Sequence, residues 1–192
     1  MATRQQILEA AARLFAEKGY EGMTMKEIAR EVGIKAPSLY AFFENKEDIF
    51  LHISRNVMED HLQLAQAFSG DSDLPVRAQF ERLLRTIMNY QLREPLHMKI
   101  YIRLLLFPPE VFTIDLKAEL HRLEQTEREL FSGMFRRGIE RGEIRPADCE
   151  ALAQMLTLMM DGWFWLMQRL DENSFWERFS VTWEQFWEGI RA

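Results

Sequence analysis

Apolar residues recur at three- and four-residue intervals along most of the chain, and strict alternation is rare. Wound as a helix, residues 3–18 bring Ile7, Ala11, Leu14 and Phe15 to one side. Glycines and prolines interrupt the pattern and set the boundaries of the predicted helices: 3–18, 24–32, 36–42, 46–68, 74–94, 96–107, 113–141, 148–170 and 174–191. The polar break 70–73, Pro95, Pro108–Pro109 and 142–146 separate the later ones. With only five Val and seven Thr, strands are disfavoured. The pattern predicts an all-α fold of about nine helices. Three short helices form an N-terminal helix-turn-helix domain, 1–46, and a larger helical domain follows, 47–192.

The 192 residues are 47% apolar and 28% charged, which excludes a disordered chain. One cysteine, Cys149, allows no intrachain disulfide and fits a reducing, cytoplasmic setting. Residues 151–167 are apolar but short, and Gln154 and Asp161 interrupt them, so no membrane span is expected. Glu9 and Arg13 break the first apolar run, which argues against a signal peptide.

The informative segment is TMKEIAREVGIKAPSLYAFFENK, 24–46. Thr24 and Glu27 have capping-box spacing, the hydroxyl taking the third amide and the carboxylate returning to the cap. Gly33 supplies a left-handed stop, and Ile34 drops back to the core. A short helix follows, with Leu39 and Phe42 inward and Lys35, Ser38 and Tyr40 outward. Pro37 is tolerated in a first turn, where its missing N–H costs nothing. Asn45 and Asp48 cap the next helix. Two short helices across a glycine turn make a unit whose second helix can enter the major groove.

The run ILEAAARLFAEKGYEGMTMKEIAREVGIKAPSLYAFFENKEDIF resembles the DNA-binding domain of the TetR family of bacterial transcriptional regulators. The resemblance covers about a quarter of the chain. It rests on Phe15, Lys18-Gly19-Tyr20, Thr24, Ile28-Ala29, Val32-Gly33, Leu39-Tyr40, Phe43 and Lys46. It implies a homodimer on a palindromic double-stranded DNA operator, most readily as a repressor. Thr24, Tyr40 and Lys46 would contact phosphates, and Lys35, Ala36, Pro37 and Ser38 would face base edges. Lys35 departs from the Ser or Thr frequent at that position in the family, so the helix start lacks a side-chain cap. Net charge is −6, and residues 1–50 carry seven bases against eight acids. Nonspecific attraction to DNA is therefore weak, and local hydroxyls, amides and a few lysines must make the contacts.

The same resemblance implies a small apolar or aromatic ligand in the C-terminal domain. His61, Met88, Tyr101, Arg103, Phe107 and Trp163 are candidates by position and type, although each is also an ordinary core or surface residue. Arg103 would meet a carboxylate ligand or pair with an internal acid. A regulator that recruits a protein and senses no ligand is the alternative. Catalysis is disfavoured: Glu94-x-x-His97 is half of a di-iron pattern whose other half is missing, and no cofactor or metal is expected.

Helix 148–170 is apolar over an arc of about 260°, far wider than one core contact requires. Helix 174–191 carries Phe175, Trp176, Phe179, Trp183, Phe186, Trp187 and Ile190 on one side. Paired copies would bury these helices as an intermolecular four-helix bundle, with Met160, Phe164, Phe179, Trp183 and Phe186 at the dimer interface.

Overall fold

Side-chain caps set the helix ends in the computed structural model, which describes residues 3–66, 73–109 and 113–192. Among these are eight α-helices and one 3-10 helix: α1 (Arg4–Gly22), α2 (Met25–Val32), the 3-10 helix Ala36–Ala41, α3 (Lys46–Gln66), α4 (Val76–Arg93), α5 (Pro95–Leu106), α6 (Thr113–Glu140), α7 (Cys149–Met167) and α8 (Glu172–Ile190). The all-α expectation holds. Thr3 caps α1 in a full capping box with Gln6, and Thr24 caps α2. The Asp148 carboxylate accepts two amides at the start of α7. Asp171 accepts the Ser174 amide, so α8 starts two residues ahead of its predicted start.

Packing divides the chain into two units, Met1–His61 with Glu94–Leu120, and Leu62–Arg93 with His121–Ala192. The division by role at residue 46 is thus not the division by packing, because α5 belongs with the N-terminal helices.

In the first unit Ile7, Ala11, Phe15, Ile28, Leu39, Phe43, Ile49 and Phe50 form the core. Phe50 receives the edges of Phe15 and Tyr20, at centroid distances of 5.2 and 5.0 Å. Gly19, at φ 75° and ψ 178°, breaks the helix where the sequence places its stop, and one further turn to Gly22 follows the kink.

In the second unit Phe80 of α4 stacks on Phe135 at 4.5 Å and approaches Phe131 of α6. A Cβ on Gly138 would stand 2.5 Å from the Ile144 side chain, so this glycine lets the 144 loop close on α6. Trp163 of α7 lies 4.6 Å from Phe179 of α8 and donates its indole N–H to Thr182. Trp183 donates to Glu81 of α4 at 3.0 Å.

The same packing takes in the side chains expected at a dimer interface. Met160, Phe164, Phe179, Trp183 and Phe186 are buried inside the protomer itself. Trp183 meets Phe80 of α4, Phe186 meets Phe135 of α6, and Phe179 meets Trp163 of α7. The apolar side chains left outside are Met155, Leu158 and Trp165 of α7 and Val181 of α8, between 47 and 65% exposed.

Candidate nucleic-acid interface

Helix α2 ends where Gly33 turns left-handed at φ 75°, and the Ile34 amide reaches back to the Ala29 carbonyl at 2.9 Å. This six-to-one closure fixes the angle at which the chain leaves α2. Ile34 is half-buried, short of the core position its sequence suggests. The next element, Ala36–Ala41, is a 3-10 helix with no side-chain cap at Lys35 and with Pro37 in its first turn. Leu39, fully buried, pins it to the core.

One face of the segment is open. Lys35, Pro37, Ser38 and Tyr40 are exposed, Ala36 is half-buried, and the Thr24 end of α2 is exposed beside them. The structure corrects the orientation of two phenylalanines. Phe43 is buried, whereas Phe42 points outward at 40% exposure. Its backbone, at φ −116°, has already left the helix, which rotates residues 42 and 43 away from the pattern a continued helix would give.

At the head of α2 the expected capping box is half made. Thr24 Oγ accepts the Glu27 amide at 3.2 Å. The Glu27 carboxylate does not return to the backbone; it accepts the Thr24 hydroxyl at 2.9 Å and the Lys18 ammonium at 2.7 Å. Lys18, then Thr24, hold that carboxyl below its ordinary range.

Lys46 is less free than the sequence suggests. Its ammonium donates to the Tyr20 carbonyl at 3.0 Å and lies 3.9 Å from the centre of the Tyr20 ring. The Tyr20 hydroxyl donates to Glu47 at 2.9 Å. Burial, reinforced by Glu47, drives the phenol well above its usual value, so Tyr20 is a neutral donor under all ordinary conditions.

Sequence reading missed Arg4. Its guanidinium sits 4.9 Å from the centre of the Phe43 ring and meets His52 Nε2 at 2.6 Å. An arginine only donates, so this His52 nitrogen is an acceptor. Lys26 and Arg30 on α2 are exposed as well. Arg4 lies on α1, and Lys26 and Arg30, four residues apart, lie on α2.

The candidate ligand residues do not share one environment. Met88 and Trp163 are buried in the second unit, Trp163 with its indole N–H already bonded to Thr182. In the first unit Tyr101 is half-buried, Phe107 is 71% exposed, and Arg103 binds backbone carbonyls of α1. The side chain of His61 lies outside the described residues. A cleft lined by Leu8, Ala12, Ile53, Val57, His97 and Ile100 has a volume of about 60 Å³, well below that of ligand pockets.

A short α-helix, a glycine turn and an exposed second helix on an apolar three-helix core define a helix-turn-helix DNA-binding protein. Residues 7–53 match the family model of bacterial regulatory proteins of the TetR family. The chain is 27% identical over 150 residues to the uncharacterized HTH-type transcriptional regulator YhgD of Bacillus subtilis, covering 78% of this chain and 76% of that one. It is 28% identical over 123 residues, 64% of each chain, to IcaR, a negative transcriptional regulator of the biofilm operon icaADBC in Staphylococcus epidermidis. The structure of SmeT in complex with triclosan superposes with a TM-score of 0.80 at 19% identity, over 100% of this chain and 93% of that one. Residues 7–53 thus carry the DNA-binding domain of the TetR family, and the relatives that share a longer stretch with the chain are named as transcriptional regulators.

Among the described residues no helix is long and apolar enough to cross a membrane. No group of three or more His, Cys, Asp and Glu side chains there could hold a metal.

Proposed function

We propose that this protein is a dimeric repressor that reads a palindromic operator through Lys35–Tyr40 and is released from it by a largely apolar small molecule. The observation that carries the DNA-reading part is the exposed face Lys35, Pro37, Ser38, Tyr40, mounted on a buried Leu39. Ser38 and Lys35 offer hydrogen bonds to base edges, while Ala36, Pro37 and the outward Phe42 offer apolar contact to thymine methyls. Tyr40 and the Thr24 end of α2 lie at the flanks for phosphates. Glu27 opposes a phosphate at that end, and Lys18 offsets its charge. Lys46 reaches a phosphate only with donors left over from Tyr20.

Repression is supported by the likeness to IcaR. Release by a small molecule is supported by the fold shared with SmeT and by the methionine- and aromatic-rich interior of the second unit. Such a ligand acts only through its difference in affinity for the DNA-bound and free forms.

Dimerisation is supported by the row Met155, Leu158, Gly162 and Trp165 on α7, whose spacing puts it on one helix face. A Cβ on Gly162 would meet nothing within 4 Å in the protomer, so this position is open to a second helix.

Selection of bound sequences from random duplex DNA tests the proposal. An enriched palindrome is expected. Ser38→Ala should relax preference at one position of each half-site, at a cost of about 1–3 kcal/mol in discrimination. Recovery of no enriched sequence would overturn it.

A further inference from the structure

The Gly19 kink leaves carbonyls in α1 without helical partners. In an unbroken helix the Ala16 and Glu17 carbonyls accept from the amides of Tyr20 and Glu21. With ψ of 178° at Gly19 those bonds cannot be kept. The two oxygens are then in the position of carbonyls at a helix C-terminus: partly negative, aligned with the axis and in need of donors.

One side chain from α5 meets both. Arg103 Nε donates to the Ala16 carbonyl at 3.0 Å, and Nη2 donates to the Glu17 carbonyl at 3.1 Å. The remaining nitrogen, Nη1, lies 3.1 Å from where a Cβ on residue 19 would stand. Glycine is therefore required at this position twice over, for its positive φ and for the space the guanidinium fills. Just past the kink, Tyr20 is held from the other side by the Lys46 ammonium on its carbonyl and by Glu47 on its hydroxyl. Lys46 and Glu47 open α3, the next helix after the recognition segment.

We propose that Arg103 is a positioning residue for DNA binding: its guanidinium locks the kink of α1 and thereby sets the placement of Tyr20 and of the junction between the recognition segment and α3. The proposal rests on the DNA-reading role given to Lys35–Tyr40. It also replaces the ligand role expected for Arg103, since two of its donors are committed to α1. An arginine suits the task because its planar fork delivers two fixed N–H groups to neighbouring oxygens, whereas a lysine delivers a point charge.

The test uses the full-length protein with Arg103→Met, Arg103→Lys and Gly19→Ala. Without DNA, Arg103→Met should speed amide exchange at Tyr20–Met23 and Lys46–Asp48 by about tenfold, the weight of a charge-assisted hydrogen bond. On the selected operator it should lose about tenfold in affinity with an unchanged salt slope, because no phosphate contact is removed. Arg103→Lys should recover part of both. Gly19→Ala, which strains φ and crowds the guanidinium, should show the same exchange pattern and carries the test if Arg103→Met does not fold. Unchanged exchange at Tyr20–Met23, unchanged affinity, or a shallower salt slope would overturn the proposal. If the wild type selects no DNA, the DNA-reading role fails by itself, and the exchange measurements still decide whether Arg103 holds the kink.

Discussion

Two adjacent phenylalanines have opposite roles. Phe43 is buried against Arg4 and the His52 ring, while Phe42 stands in solvent next to Tyr40. Phe43→Ala should therefore destabilise the protein by about 3–5 kcal/mol, the usual cost of emptying an aromatic site in a core. Phe42→Ala should leave the unfolding midpoint within about 0.5 kcal/mol of wild type and lower operator affinity instead. Urea titration and DNA-binding measurements on the two variants check the assignment. The sequence alone could not sort them, because the choice depends on where the 3-10 helix ends, and the residue in question is the one whose backbone turns away.

The junction of α1 and α2 is held by charge as well as by packing. Lys18 near the end of α1 and Thr24 at the head of α2 both bond the Glu27 carboxylate, and its pKa is lowered as a result. A carboxyl whose folded pKa is depressed adds stability that is fully present above its unfolded value, near 4.5, and is lost as pH falls through the folded value. Unfolding of the wild type should therefore become easier below about pH 4.5, and Glu27→Gln should flatten that acid limb while leaving Glu47 and Asp171 to titrate. Denaturant titrations between pH 3 and 6 would show it. Much at this scale was legible in advance. Thr24, Gly33 and Asn45 mark their boundaries by local chemistry, and each acts where its spacing places it. The bracing of the Gly19 break by Arg103 was not, because the two residues are 84 positions apart in the chain. Lys46 was legible as a surface cation but not as a partner of Tyr20, for the same reason.

At the scale of the whole protein, periodicity alone cannot say which apolar surface is core and which is interface. Helix α7 is apolar on so many sides, and α8 so rich in aromatics on one side, that either assignment satisfies their pattern. Packing decides: Trp183 and Phe179 close the interior of the second unit, and Leu158, Trp165 and Met155 remain outside. The two groups should respond differently to the same substitution. Trp183→Glu should unfold the second unit, since it buries a charge beside Phe80, Phe186 and Trp187. Leu158→Glu should leave the thermal transition of the isolated protomer intact and shift sedimentation from dimer to monomer. A dimer unaffected by Leu158→Glu and Trp165→Glu would place the interface elsewhere.

The 3-10 character of the recognition segment sets a ruler. An α-helix returns to the same side after 3.6 residues, but here the return comes after three, with a rise of about 2.0 Å per residue. Lys35, Ser38 and Ala41 therefore fall in a single file, all three exposed, with successive members about 6 Å apart. Stacked base pairs are spaced about 3.4 Å. Consecutive members of the file thus stand a little under two base steps apart, so in the proposed reading, with the file running along the groove, Lys35 and Ser38 would address bases separated by one intervening pair. The grammar expected of each half-site is then gapped, with letters fixed by this file alternating with letters left to Pro37, Tyr40 and the apolar flank.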